Sequence, residues 1–167
     1  MGTQTLLTSL FRYKAWANEM LFGAMTAVGT EPPSAAFRTA MRILNHAHIV
    51  DRIFVGNLQA ACHGYVTNEP AAVPSLPDLF SAVRDTDRWY VDYAARIAPE
   101  ELSEVIGFKF TDGKPARMSR EEILAHVITH GGYHRGEVGR LLPQISPATS
   151  ADVFAGYLHQ SEPARRG

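Results

Sequence analysis

His126-Val-Ile-Thr-His130-Gly-Gly-Tyr-His134-Arg-Gly-Glu137 sets histidines four residues apart, twice in succession. Residues four apart share one face of an α-helix, with Cβ atoms roughly 6 Å apart. Two imidazoles at that spacing can chelate one transition metal. A third ligand must come from elsewhere, and Leu44-Asn45-His46-Ala47-His48 offers it from a second amphipathic stretch. Three neutral imidazoles on one divalent metal, with a coordination position left open, make a catalytic donor set rather than a closed structural one.

The histidine segment begins at a capping box, Ser119-Arg-Glu-Glu122, and is predicted helical from about Arg120 to Leu142, where Pro143 stops it. Working outward, a first helix is expected from about Thr3 to Val28. Leu7, Leu10, Phe11, Lys14, Ala17, Asn18, Leu21 and Phe22 recur on it at helical spacing, and Gly29 with Glu31-Pro-Pro-Ser34 ends it. A second helix runs from about Ala36 to Ala61, with Ile43, His46, Val50, Ile53 and Phe54 as its apolar stripe. After a loop from His63 to Pro74, Ser75 caps a third helix that carries Leu79, Phe80, Val83, Tyr90, Ala94 and Ile97. Between the third and fourth helices, Val105, Ile106, Phe108 and Phe110 flank Thr111-Asp-Gly-Lys114, a turn signal that predicts a small hairpin or an irregular loop. Ser150-Ala-Asp152 reads as the cap of a short last helix through His159. The fold class expected is therefore all-α: a four-helix bundle as one domain over residues 1–160, followed by a frayed tail over residues 161–167. Such bundles build metal sites from side chains on facing helices.

Composition narrows the function. With 16 basic and 17 acidic residues the formal net charge is −1, and no basic stripe is present, so no nucleic-acid partner is expected. Cys62 is the single cysteine, which excludes an internal disulfide and a cysteine-rich zinc site and fits a reducing compartment. Cys62 itself reads as structural. The segment Met1 to Leu6 lacks a charged leader with a long apolar run, and no apolar stretch approaches the ~18 residues of a membrane span. A cytoplasmic location without a membrane partner is expected.

Within the histidine set the residues alone leave alternatives. His126 and His130 have the chelating spacing as well as His130 and His134. At ~100° per residue, however, His126 and His134 diverge by about 80° around the helix, so all three do not share one metal. On the second helix His46 lies in the apolar stripe, whereas His48 falls beside Asp51 and Arg52. His46 is expected to point into the core and His48 away from it. Gly131, Gly132, Gly136 and Gly139 each cost about 1 kcal/mol against alanine in a helix. They imply either close helix packing or room for a substrate above the metal. Trp16, Trp89 and Tyr90 read as core or pocket-lining aromatics.

Several stretches then resemble one family. Tyr13-Lys-Ala-Trp-Ala-Asn18, Leu44-Asn-His46 with Asp51-Arg-Ile-Phe54, and His130-Gly-Gly-Tyr-His134-Arg-Gly136 resemble the first-, second- and fourth-helix motifs of the DinB-like metal-binding four-helix bundles. The resemblance spans nearly the whole chain in order, and its last motif is the most specific. It implies His46, His130 and His134 as metal ligands, in preference to His126, and it implies a homodimer. Glu137 stands where the family motif often has Gln, a departure that alters the local charge. Characterised relatives in the wider superfamily are thiol-dependent transferases and isomerases. The resemblance thus implies a low-molecular-weight thiol as cosubstrate and a small electrophile as its partner. Three imidazoles suit Zn, Ni, Fe or Cu, with Zn or Ni favoured. Two other readings remain at this point: a metal-dependent hydrolase with Glu137 as general base, and a non-catalytic metal-binding stress protein. No individual catalytic side chain is assigned.

Overall fold

The computed structural model describes residues 2–27, 33–69, 71–148, 150 and 152–166. Its long helices are α1 (Thr3–Thr26), α2 (Ala35–Leu58), α3 (Leu76–Arg96) and α4 (Arg120–Leu141), with short α5 (Phe154–Ser161) and α6 (Pro163–Arg166) at the end. Strands β1 (Val105–Lys109) and β2 (Pro115–Ser119) stand between α3 and α4. The all-α expectation holds. The terminator of the first helix at Gly29, Glu31 and Pro32 lies outside the described residues.

Local chemistry accounts for the helix starts. Ser34, Ser75 and Ser119 each accept from a backbone N–H in the first turn of α2, α3 and α4. At α4 the cap is reciprocal: Glu122 N donates to Ser119 Oγ at 3.2 Å, and Ser119 N donates to Glu122 Oε2 at 2.7 Å. Of the two readings before α4, the hairpin is the one formed. β1 and β2 pair antiparallel from Val105↔Ser119 to Lys109↔Pro115. Gly113 turns the chain at φ +84°, a conformation a side chain would strain.

Around the bundle α1 packs on α3 and α4, and α2 packs on α4 and α3. The core falls into two apolar halves. One holds Phe11, Phe54, Tyr90 and Val127, with Ile106, Phe108 and Met118 of the hairpin packed against it. The other holds Phe22, Leu44, Leu79 and Val138. Following each helix from one half to the other gives its direction. The pairs α1–α3 and α2–α4 are antiparallel, while α2 and α3 run the same way. The connection from α2 to α3, residues 59–75, must therefore travel back along the bundle, the long crossover known from such folds.

A polar layer separates the halves. Lys14 is 1 % exposed, and its Nζ donates to Asp51 Oδ2 and to Asp87 Oδ1, both at 2.7 Å. Asn18 Nδ2 donates to the other Asp87 oxygen at 2.7 Å, and Tyr90 Oη donates to the Asp51 carbonyl at 2.7 Å. Burial works against the charge of Lys14, but Asp51 and Asp87 together hold its pKa above the ordinary lysine value. Burial pushes the Asp51 carboxyl up to about 6 in spite of Lys14. Removing one partner from such a buried set leaves an uncompensated charge, a loss of about 3–5 kcal/mol.

Gly131 of α4 exists for this layer. A Cβ there would sit 3.0 Å from Lys14 Cε and 3.3 Å from an Arg135 nitrogen. Lys14 is held at its tip by two carboxylates and cannot yield. Of the two expectations for the α4 glycines, close packing therefore holds at Gly131. A Cβ on Gly136 or Gly139 would meet nothing within 4 Å.

The last segment differs from expectation. α5 begins at Phe154, after Val153, without a side-chain cap. Asp152 is not its cap because its carboxylate is engaged elsewhere: Arg135 Nε donates to it at 2.7 Å and the Tyr13 hydroxyl donates to it as well. Burial first, and then Asp152, pushes the Tyr13 phenol up to about 12. Phe154 and Tyr157 pack on the Tyr13 ring.

Two glycine substitutions separate packing from propensity. Gly136→Ala should stabilise the fold by about 0.5–1 kcal/mol in urea unfolding. Gly131→Ala should instead destabilise it, because the helix gain is exceeded by displacement of Lys14 from its carboxylates. Equal gains at both positions would contradict this account of the polar layer.

Candidate metal centre

His46 comes from the middle of α2, and His130 and His134 come from the middle of α4, at the level of the polar layer. The four-residue spacing in α4 stacks the two imidazoles on the side that faces α2. Each of the three offers a ring nitrogen, and these atoms lie within 4.8 Å of one another. Ring centroids are 4.4 Å apart for His130–His134, 4.8 Å for His46–His134 and 5.3 Å for His46–His130. The Nε2 atoms of His130 and His134 face each other at 3.1 Å. Among the described residues no fourth His, Cys, Asp or Glu joins the group.

Two of the rings are oriented by acceptors behind them. His46 Nδ1 lies 3.1 Å from the carbonyl oxygen of Asn68, which can only accept, so Nδ1 carries the proton and Nε2 is left as a lone pair. His134 Nδ1 lies 2.6 Å from Glu137 Oε2, with the same consequence. This is the outer-shell arrangement typical of ligating histidines. Glu137 thus acts on a neighbouring ring rather than standing as a free surface charge. His130 Nδ1 is buried without a hydrogen-bond partner among the described residues. Packing positions that ring instead: His126 stacks on it at 5.2 Å and His134 meets it edge-on.

Electrostatics disfavours a proton on His130. Burial first, and then the neighbouring imidazoles of His134, His126 and His46 and the charge of Lys14, push His130 down to about 3. Burial also lowers His126, which contacts Phe54 and stands outside the three-histidine group. The donor set fits a divalent metal: three imidazoles whose ring nitrogens converge, two of them oriented by acceptors behind and the third, His130, held where a proton is disfavoured.

A cleft of about 510 Å³ opens beside the group. His46 and His134 form part of its lining, with Arg42 and Asn45 from α2 and Glu69, Ala71 and Val73 from the crossover connection. None of Gly131, Gly132, Gly136 and Gly139 lines it, so they do not supply the expected room above the metal.

His48 departs from its expected place. It is largely buried, and burial followed by the Lys14 charge lowers its pKa to about 4. It borders a cavity of about 20 Å³ together with Lys14, Asp51 and His134. Its neighbour Asp51 looks like a surface residue in sequence but faces Lys14 in the core, so that side of α2 is interior too. Cys62 is exposed in the segment after α2. Arg42 was open to sequence reasoning, since it lies four residues before His46. Asn68 was not, because its contribution is a backbone carbonyl.

With the fold and this group described, comparison with known proteins adds one decisive match: residues 1–161 fit the DinB family. The chain belongs to the DinB family. Protein DinB of Bacillus subtilis (strain 168) is 23% identical over 166 residues, covering 92% of this chain and 94% of that relative. No solved structure gives a significant match. Among the described residues no helix is long and apolar enough to cross a membrane. For this DinB-family chain, a three-histidine group able to hold a metal ion is in place between α2 and α4.

The protonation state is measurable. In the metal-free protein, NMR titration should find His130 neutral between about pH 5 and about pH 8, since its folded pKa is about 3. The unfolded chain takes up that proton below about 6.5. The His130 contribution to stability is thus complete above that pH and declines as pH falls towards about 3. A His130 resonance titrating near neutral pH would show the ring to be solvated and the group open.

Proposed function

We propose that the chain is a metal-dependent enzyme that activates a low-molecular-weight thiol for transfer or addition to an electrophile. His46, His130 and His134 hold a divalent transition metal, with Zn or Ni ahead of Fe or Cu. The observation that carries this reading is a three-imidazole group that has two of its rings oriented from behind, no fourth protein ligand among the described residues, and an adjoining cleft. A divalent metal there supplies Lewis acidity, which lowers the pKa of a thiol that reaches it.

The rest of the work falls to the chain. The Asn68 carbonyl and Glu137 keep Nε2 of His46 and His134 turned inward. Ile43, Ala71 and Val73 give the cleft an apolar side that limits water. In the reaction the thiol S–H proton is lost to solvent and an S–C bond forms on the electrophile. In an addition the electrophile takes up a proton; in a transfer it releases its leaving group.

Glu137 is committed to His134, which weakens the hydrolytic alternative, where it would serve as general base. A formal net charge of −1 favours small-molecule partners over nucleic acid. The same reading includes a cytoplasmic homodimer; the dimer rests on the family and is checked by light scattering.

Elemental analysis of tag-free protein should find about one divalent ion per chain, lost in His46→Ala. Glu137→Ala should weaken metal binding by ~10–100-fold in competition with a chromophoric chelator. Glu137→Gln keeps an acceptor for His134 and should lose far less. The metal-loaded protein should then conjugate a small thiol to an electrophile. Bound metal without thiol binding or turnover across physiological thiols would overturn the enzymatic reading and leave a metal-binding protein.

A further inference from the structure

Three polar side chains of the cleft, Asn45, Arg42 and Glu69, have no side-chain hydrogen bond or ion pair among the described residues. Asn45 is 4 % exposed, yet its side-chain amide has no hydrogen-bond partner among the described residues. Asn45 lines the cleft beside His46, and its amide is not among the sealed, partnerless atoms of the core, so it is open to a ligand in that cleft. Arg42 lies one helical turn before His46 and lines the same cleft. Glu69 lines it from the crossover connection, directly after Asn68, whose carbonyl lies against His46. Neither Arg42 nor Glu69 forms an ion pair among the described residues.

We propose that the cleft selects a zwitterionic thiol, one that carries a carboxylate for Arg42 and an ammonium for Glu69, with the Asn45 amide hydrogen-bonding the ligand between them. This rests on the thiol reading of the metal centre. Two opposite charges that share a cleft without pairing fit the two ends of a zwitterion. A dianionic ligand meets Glu69 and Glu137, and a purely cationic one meets Arg42 and the metal. The cleft volume of about 510 Å³ leaves space beyond an amino-acid-sized thiol for the electrophile.

The test uses Ni-loaded full-length protein and the thiolate-to-metal absorption band as a binding signal. L-Cysteine is compared with cysteamine, which lacks the carboxylate, and with 3-mercaptopropionate, which lacks the ammonium. Cysteine should bind roughly five- to tenfold more tightly than either. Amine and carboxylate groups can also reach the metal, so the variants decide. Arg42→Met should collapse the preference for cysteine over cysteamine, and Glu69→Gln should collapse the preference over 3-mercaptopropionate. Asn45→Ala should weaken cysteine binding without lowering the ligand-free melting temperature. Preferences that survive Arg42→Met and Glu69→Gln to within about twofold would overturn the proposal while leaving thiol activation intact. If no thiol gives the band, the thiol reading fails by itself. S-methylcysteine then tests the cleft through NMR shifts at Arg42 and Asn45. Binding lost in Arg42→Met would uphold the zwitterion site, and no binding would sink it.

Discussion

One ammonium shared by two carboxylates in the middle of the core constrains the whole bundle. Lys14 joins α1 to α2 through Asp51 and to α3 through Asp87, at 2.7 Å each. Burial of charge is unfavourable unless the geometry is closely held. The three helices are therefore fixed in register along their lengths as well as in contact. Apolar packing alone allows a helix to slide by a turn at modest cost; a buried ion triad does not. The fourth helix is fitted to the same layer by an absent side chain, because Gly131 leaves the space that the Lys14 stem occupies.

The histidine group inherits this precision. It sits in the polar layer, where helices that slid would separate His46 from His130 and His134. Arg135, next to His134, extends the layer to Asp152, and through it the final segment is drawn against Tyr13. The placement of the histidines and the rigidity of the frame thus have one origin. The apolar halves on either side supply most of the burial, while the layer between them decides which residues meet.

Much of this was readable in advance. Four long periodic segments, the serine caps at Ser75 and Ser119 and the Asp112-Gly113 turn carried the fold, because each is a local signal. The grouping of His46, His130 and His134 was accessible from spacing in α4 and stripe position in α2, and His126 stands outside that group. What stayed hidden was the interior charge. Asp51 and Asp87 look like ordinary surface residues in a string of letters. Lys14 lies at a core position in the sequence pattern, but its partners Asp51 and Asp87 are 37 and 73 residues away. His48 is interior for the same reason: its polar neighbour Asp51 faces the buried Lys14, not solvent. Asp152 read as a helix cap because its true partners, Arg135 and Tyr13, are distant in sequence.

The acceptor behind His46 is a main-chain carbonyl, not a side chain. Any amino acid at position 68 presents the same oxygen, provided the connection keeps its path. The crossover can therefore exchange Asn68, Glu69, Ala71 and Val73 without withdrawing support from the histidine it braces. The wall facing an incoming molecule and the bracing of the donor set are uncoupled along one stretch of chain. That separation makes the segment a natural place for new specificities to arise, whether by drift or by design, on an unchanged four-helix frame.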